Sequence, residues 1–316
     1  MKKICITGAN GFVGRSLCKA LISSNNSIRA LARRIDCSFN SLKIEYIKIG
    51  DIGLDVNLKE YLVGCDCIVH CAGKAHTMND TDNLVAYQSA NILGTKNLAE
   101  QAVLAGVKRF IFLSSVKVNG ESTGNFDDPK IFTNNDTPNP QDNYAISKFE
   151  AEKVLWEIAS KTNLEVVIVR LPLVYGTSVK GNLNRLIKLI NSKIPLPLAD
   201  IKNKRSLIGI DNLVDVLVRC IEHPNAAGKT FLVSDGEDLS TSELINIIAL
   251  GMNQSVKLFR LPRALFKFFA FILMRQSQID RLIGSLQIDN SYAREILNWT
   301  PPVSVEEGIK RMVKDK

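Results

Sequence analysis

With 316 residues, 46% hydrophobic and 23% charged, the sequence has room for a large core and the composition of an ordinary globular protein, which excludes a disordered or fibrous chain. Its 40 Lys and Arg against 32 Asp and Glu leave a net charge of +8. No basic run is interleaved with aromatics, so the excess suits an anionic small molecule or a plain solvated surface, and no nucleic-acid partner is expected.

The chain opens on an apolar run at 4–6, which predicts a strand over 4–7. Thr7-Gly8-Ala9-Asn10-Gly11-Phe12-Val13-Gly14 follows, then an amphipathic stretch with Phe12, Val13, Leu17, Ala20 and Leu21 on one face. A strand, a tight turn and a helix N-terminus make a pyrophosphate site, because the backbone must turn sharply and approach the phosphates closely. The glycine spacing is one residue longer than the standard dinucleotide fingerprint. With no leader segment before this strand, a cytoplasmic location is expected.

Further strands are expected over 28–32, 44–47, 67–71, 110–114 and 166–170, with helical patterns between them. This alternation reads as an α/β fold, a doubly wound parallel sheet of the Rossmann type. Long helices are expected over 84–104 and 143–161. A loop rich in Asn, Asp, Thr and Pro at 120–142 either closes over a substrate or simply connects. After Arg170, prolines at 172, 195, 197 and 262 punctuate shorter helices, which points to a smaller, mainly C-terminal substrate lobe. The expected division is a dinucleotide-binding domain at 1–172 and 205–235, and a ligand lobe at 173–204 and 236–316. The basic, aromatic segment at 260–275 reads as a core helix of that lobe or a peripheral membrane contact, its apolar run being too short to span a bilayer. Seven cysteines, scattered through apparent strands and helices, lack metal-ligand spacing, so neither a disulfide framework nor a metal site is expected.

Tyr144 and Lys148 stand at i and i+4 on the second long helix, hence side by side. A neighbouring ammonium favours the phenolate, so Tyr144 is expected to have a lowered pKa and to serve as general acid and base. Ser114-Ser115 end a strong strand, where open α/β sheets bind ligands. A serine there donates to a carbonyl oxygen beside the tyrosine, or caps the next turn. Arg33 and Arg34 end the second strand, where NAD-preferring chains carry an acid. Arginine pairs with a 2′-phosphate, so NADP(H) is expected over NAD(H).

Around these residues lie His70-Cys71-Ala72-Gly73, Asn91-Ile92-Leu93-Gly94-Thr95-Lys96-Asn97-Leu98, Ser114-Ser115 leading to Val118-Asn119-Gly120, Arg170-Leu171-Pro172-Leu173-Val174-Tyr175-Gly176, the segment 205–211, and Asn298-Trp299-Thr300-Pro301-Pro302. In this order, over nearly the whole chain, they resemble the extended short-chain dehydrogenases/reductases of the nucleotide-sugar epimerase/dehydratase type. Asn119 departs from the family's Val-Tyr-Gly.

The resemblance implies Ser115, Tyr144 and Lys148 as catalytic. It implies a cofactor set of Gly8, Asn10, Gly11, Phe12, Val13, Gly14, Arg33, Arg34, Asp51, Ile52, Ala72, Gly73, Asn91, Tyr144 and Lys148. Substrate contacts are implied for Ser115, Val116, Lys117, Asn182, Arg205 and Arg281, the arginines gripping a diphosphate. The implied partner is a UDP-sugar and the implied assembly a homodimer. Val116 and Lys117 replace the Asp-Glu pair of the family's 4,6-dehydratases, so dehydration is not expected. Segments 114–121, 228–241 and 281–287 also resemble a bacterial surface-polysaccharide (O-antigen) subgroup. The expected reaction is therefore NADPH-dependent reduction of the C4 keto group of a UDP-2-acetamido-2,6-dideoxy-hexos-4-ulose, giving UDP-N-acetylquinovosamine or its 4-epimer. The alternative is a UDP-hexose or UDP-N-acetylhexosamine 4-epimerase with tightly bound NAD.

Overall fold

The computed structural model describes residues 1–34, 43–53, 56–74, 84–124, 130–179, 181–262, 265 and 282–314. Its strands in chain order are β1 (Lys3–Thr7), β2 (Ser27–Ala32), β3 (Ile44–Lys48), β4 (Cys67–His70), β5 (Arg109–Ser115), β6 (Glu165–Leu171), β7 (Leu173–Tyr175), β8 (Arg205–Gly209), β9 (Lys229–Leu232) and β10 (Asp238–Leu239). Seven of them form one sheet in the order β3-β2-β1-β4-β5-β6-β9, and every neighbouring pair is parallel. The six strands expected from the apolar runs are all present, within a residue or two of their expected bounds.

The two faces follow the period-two alternation of side chains. Ile4, Ile6, Ile28, Ala30, Val69, Ile111, Val167 and Val169 point to one side, against α1 (Phe12–Ile22) and a later helix at Ile210–Glu222. Cys5, Leu31, Ile68, Phe110, Phe112, Val166 and Ile168 point to the other, against Lys59–Leu62 (α2) and the helices that follow it. The expected long helix at 84–104 is α3 (Leu84–Tyr87), a π-helical turn at Gln88–Leu93 and α4 (Gly94–Leu104). The wider turn carries Asn91, and such bulges recur at functional sites. The second long helix, α5 (Asn143–Lys161), matches its expected span and starts on a side-chain cap, Asp142 accepting from the Ala145 amide at 2.7 Å.

The remaining helices are α6 (Asn182–Asn191), α7 (Ile210–Glu222), α8 (Thr241–Gly251), α9 (Ser291–Ile296) and α10 (Val305–Val313). A small sheet, β10-β8-β7, joins α6, α8 and α10 around a second core of Tyr175, Leu183, Ile187, Leu207, Ile245, Ile248, Ile309 and Met312. β8 thus lies in the small sheet, while α7 and β9 pack with the large one. Trp299 returns to the large sheet's core and donates from Nε1 to Asp215 Oδ2 at 2.9 Å. The 120–142 loop is tied down where it is described. Phe132 and Thr123 donate their amides to Gln287 and Ser285 carbonyls, and Asn139 to Val118.

Strand order reverses between β1 and β4, so a crevice opens at their carboxyl ends. Into it run Gly8 after β1 and Cys71–Gly73 after β4. Gly8 has φ +65°, and a Cβ there would stand 2.7 Å from the Ala72 nitrogen. A Cβ on Gly14 would stand 2.3 Å from the Gly8 carbonyl oxygen. Among the described residues no helix is long and apolar enough to cross a membrane. Most of the 260–275 segment, and Arg281, lie outside the described residues.

Gly14→Ala is expected to lower stability by about 1–3 kcal/mol through backbone overlap in this turn, read as a fall in Tm.

Candidate active site

The first turn of α1 faces the crevice behind Gly11, an extended N-cap that offers no side-chain acceptor to the helix amides. Those amides are the free donors of an anion site. Asn10 Nδ2 donates to the Arg34 carbonyl at 2.5 Å, tying the turn to the end of β2. On the other side of the crevice, Asn91 is 1% exposed. Its Oδ1 accepts from the Lys74 amide at 2.8 Å, and its Nδ2 donates to Ser147 Oγ at 2.9 Å. Gly73 lies against this side chain, where a Cβ would come within 3.1 Å of Asn91 Oδ1 and 3.4 Å of Lys148 Nζ. A glycine turn, an uncapped helix start and glycines packed too closely for a side chain together fit a dinucleotide.

Ser115 ends β5, and Tyr144 and Lys148 ride one face of α5, so sheet and helix deliver the three to one place. The Ser115 hydroxyl bonds to Tyr144, while the Lys117 amide donates to Ser115 Oγ at 3.2 Å. Burial pushes the Tyr144 phenol up to about 12, the Ser115 bond drawing it back and Asp142 adding to the rise. The expected lowering by Lys148 is not found. The ammonium turns away from the tyrosine to donate to the Leu113 carbonyl at 2.8 Å, 4.4 Å above the centre of the Phe112 ring. Burial instead lowers Lys148 itself to about 8, against the opposing pull of the Glu152 carboxylate.

Glu152, one further turn along α5, was not among the expected site residues, although Tyr144, Lys148 and Glu152 recur at four-residue spacing on one helix face. It is 1% exposed and bidentate to Arg170, which is 6% exposed, with Nη2 to Oε2 at 2.6 Å and Nε to Oε1 at 3.0 Å. Ser114 Oγ donates to the same carboxylate at 2.5 Å. Asn119 Oδ1 accepts from Arg170 Nη1 at 2.9 Å.

Two of the residues expected to touch substrate are otherwise engaged. Val116 is buried in a small apolar cluster with Leu232, Leu286 and Ile288. Lys117 Nζ is held by Glu121 Oε1 at 2.7 Å and Asp142 Oδ2 at 2.5 Å, which links the Ser115 turn to the cap of α5. Asp142 is held below the usual carboxylate range, burial being outweighed by Lys117 and the Ala145 amide. Asn182 is exposed at the start of α6, and half-buried Arg205 begins β8 with Nη1 donating to the Gly284 carbonyl at 3.2 Å. Among the described residues no group of His, Cys, Asp and Glu is arranged to hold a metal.

The profile of the NAD dependent epimerase/dehydratase family matches residues 4–234. UDP-glucose 4-epimerase of Vibrio cholerae is 42% identical over 316 residues, covering 98% of this chain and 94% of its own. N-acetyl-alpha-D-glucosaminyl-diphospho-ditrans,octacis-undecaprenol 4-epimerase of Escherichia coli O157:H7 is 27% identical over 82% of this chain and 75% of its own. Among solved structures, UDP-glucuronic acid 4-epimerase from Bacillus cereus in complex with NAD superposes with a TM-score of 0.78 at 21% identity, covering 99% of this chain and 97% of that one. MoeE5 in complex with UDP-glucose and NAD does so with 0.78 at 22%, covering 99% and 97%.

These complexes hold NAD, which overturns the expectation of NADP(H). Of the two arginines read as 2′-phosphate partners, Arg33 stands 3.1 Å from the Asp51 carboxylate, both exposed, so an acid beside the end of β2 offsets part of the pull on a phosphate. Ile52, next to Asp51, packs its carbonyl where a Cβ on Gly94 would meet it at 2.5 Å.

Glu152→Ala, which leaves a buried guanidinium unpaired, is expected to cost about 3–5 kcal/mol in thermal or denaturant unfolding. Glu152→Leu combined with Arg170→Met is expected to recover most of that loss.

Proposed function

Because the chain belongs to the NAD dependent epimerase/dehydratase family, we propose that it is a UDP-sugar 4-epimerase, inverting C4 of a UDP-hexose or UDP-N-acetylhexosamine with NAD held in the crevice. The observation that carries this reading is the 42% identity to a UDP-glucose 4-epimerase over 98% of the chain. The Ser115–Tyr144 pair and buried Lys148 support it. The 4-keto reductase expected from the sequence drew on segments 114–121, 228–241 and 281–287 and on an NADP(H) signal at Arg33 and Arg34; the NAD-bound neighbours run against that signal, and the relatives favour the epimerase.

NAD held in the crevice would supply a reversible hydride acceptor for the hydrogen on C4. The diphosphate of NAD would lie on the α1 N-terminus beside Gly8, Gly11 and Gly14, with Asp51 and Ile52 at the adenine end. Ser115 holds the sugar O4 by hydrogen bond, and Tyr144 as phenolate takes the O4 proton and as phenol later gives it back. With the phenol pushed up to about 12 the phenolate is scarce near neutrality, so a positive charge brought close to it is what makes the transfer feasible there. Lys148 would supply part of that charge on leaving the Leu113 carbonyl to hold the nicotinamide ribose. Val116 and Lys117 put no carboxylate beside Ser115, which confines the chemistry to C4. Arg205 meets the UDP diphosphate from β8, where the Gly284 carbonyl orients it.

The test is interconversion of UDP-glucose or UDP-N-acetylglucosamine with its C4 epimer by the purified protein, followed by chromatography. Tyr144→Phe is expected to lower kcat about 10²–10⁴-fold. Absence of interconversion with NAD supplied, alongside consumption of NADPH on a 4-keto sugar, would overturn the reading.

The pH dependence follows from Lys148. Its ammonium is present below about 8 and lost above it, so kcat/KM is expected to fall about tenfold per unit on the alkaline side. Lys148→Arg, whose guanidinium keeps its charge, is expected to lose that fall in its residual activity.

A further inference from the structure

His70 closes β4 and is 1% exposed. Its Nδ1 lies 2.6 Å from Thr7 Oγ1, and its Nε2 lies 3.1 Å from Thr95 Oγ1. The Thr95 hydroxyl gives its one hydrogen to the Asn91 carbonyl at 2.6 Å, so toward His70 it can only accept. Nε2 therefore carries the imidazole proton. Nδ1 is then the acceptor and takes the Thr7 hydroxyl hydrogen, while Thr7 Oγ1 accepts from the Ala72 amide at 3.3 Å. The opposite tautomer would set a lone pair on Nε2 against an oxygen with no hydrogen left to give.

The chain from His70 ends on the Asn91 backbone carbonyl, and a second run starts from the same residue's side chain: Nδ2 donates to Ser147 Oγ at 2.9 Å, and Ser147 Oγ donates to the Tyr144 carbonyl at 2.7 Å. The two runs meet only through the covalent frame of Asn91, and together they reach from Thr7, which enters the glycine turn, to the peptide of the tyrosine on α5. Thr7, His70, Asn91, Thr95 and Ser147 are all buried.

The groups facing His70 keep it neutral. Phe112 stacks on it at 5.8 Å and Phe110 meets it edge-on at 5.8 Å. Lys148 stands on the Phe112 ring, 4.4 Å from its centre. Burial first, and the Lys148 charge second, push the imidazole down to about 3.

We propose that His70 is a positioning residue that couples the cofactor turn to the catalytic tyrosine, through the path Thr7–His70–Thr95–Asn91–Ser147. The coupling rests on the epimerase reading for its kinetic consequence, but not for its spectroscopic one. Filling of the glycine turn is felt at Thr7 and passed through the two hydrogen-bonded runs and the buried Asn91 that joins them to the start of α5, which holds Tyr144 in place.

Two measurements on the full chain test this. In ¹⁵N-histidine NMR, with the three histidines separated by His70→Asn, His70 is expected to stay the Nε2–H tautomer from pH 8 to pH 5, and its ring nitrogens to shift when NAD is added. A His70 that titrates in that range, or is indifferent to NAD, overturns the proposal even if the wild type proves not to be an epimerase. In kinetics, Thr95→Val keeps the shape and removes the hydroxyl. It is expected to lower kcat at saturating NAD about tenfold or more with KM for the UDP-sugar within about twofold, and Thr95→Ser to restore kcat. A purely structural threonine would lower Tm and leave kcat of the folded enzyme unchanged, which would contradict the coupling.

Discussion

Glu152 and Arg170 are almost wholly removed from water, where a lone carboxylate or guanidinium costs several kcal/mol. Each satisfies the other at two points, and the carboxylate also accepts from Ser114 while the guanidinium donates to Asn119. The pair is worth more as a constraint than as a source of stability. It binds α5 to the carboxyl ends of β5 and β6 and to the turn after Ser115. Since α5 carries Tyr144 and Lys148, and β5 carries Ser115, the geometry of the candidate site depends on it. Lys117 and Asp142 add a second tie between the same helix and turn, closer to the surface.

Opposite this assembly, the crevice is shaped by what is missing from side chains. Gly8 and Gly14 are packed so closely against backbone that any Cβ would collide, and a Cβ on Gly73 would press on the Asn91 amide. Asn91 itself sits in a π-helical turn, and its amide bridges the Lys74 backbone and Ser147. The two sides are therefore parts of one hydrogen-bonded framework, with His70 at its buried centre.

Much of this was legible in the chain. Continuous apolar runs marked the buried parallel strands, and the glycine turn located the crevice between β1 and β4. Three things were not legible, each because it depends on partners distant in sequence. Arg33 read as a phosphate ligand because nothing local shows that Asp51 reaches it. Lys148 read as a direct neighbour of the phenol, yet the Leu113 carbonyl on β5 and the Phe112 ring take its ammonium. The small sheet of β7, β8 and β10 escaped notice because β7 and β10, with three and two residues, leave no period to detect, and among the described strands β8 pairs only with them. Glu152, by contrast, had a local signal in the four-residue spacing from Lys148.

If, as proposed, the chain inverts C4 of a UDP-sugar with the C4 hydrogen retained throughout, turnover of a UDP-hexose deuterated at C4 in ordinary water, with the product analysed by NMR, reads it directly. Both epimers are expected to keep deuterium at C4, because the hydrogen never leaves the site. Epimerisation with wash-out of the label to solvent would contradict it.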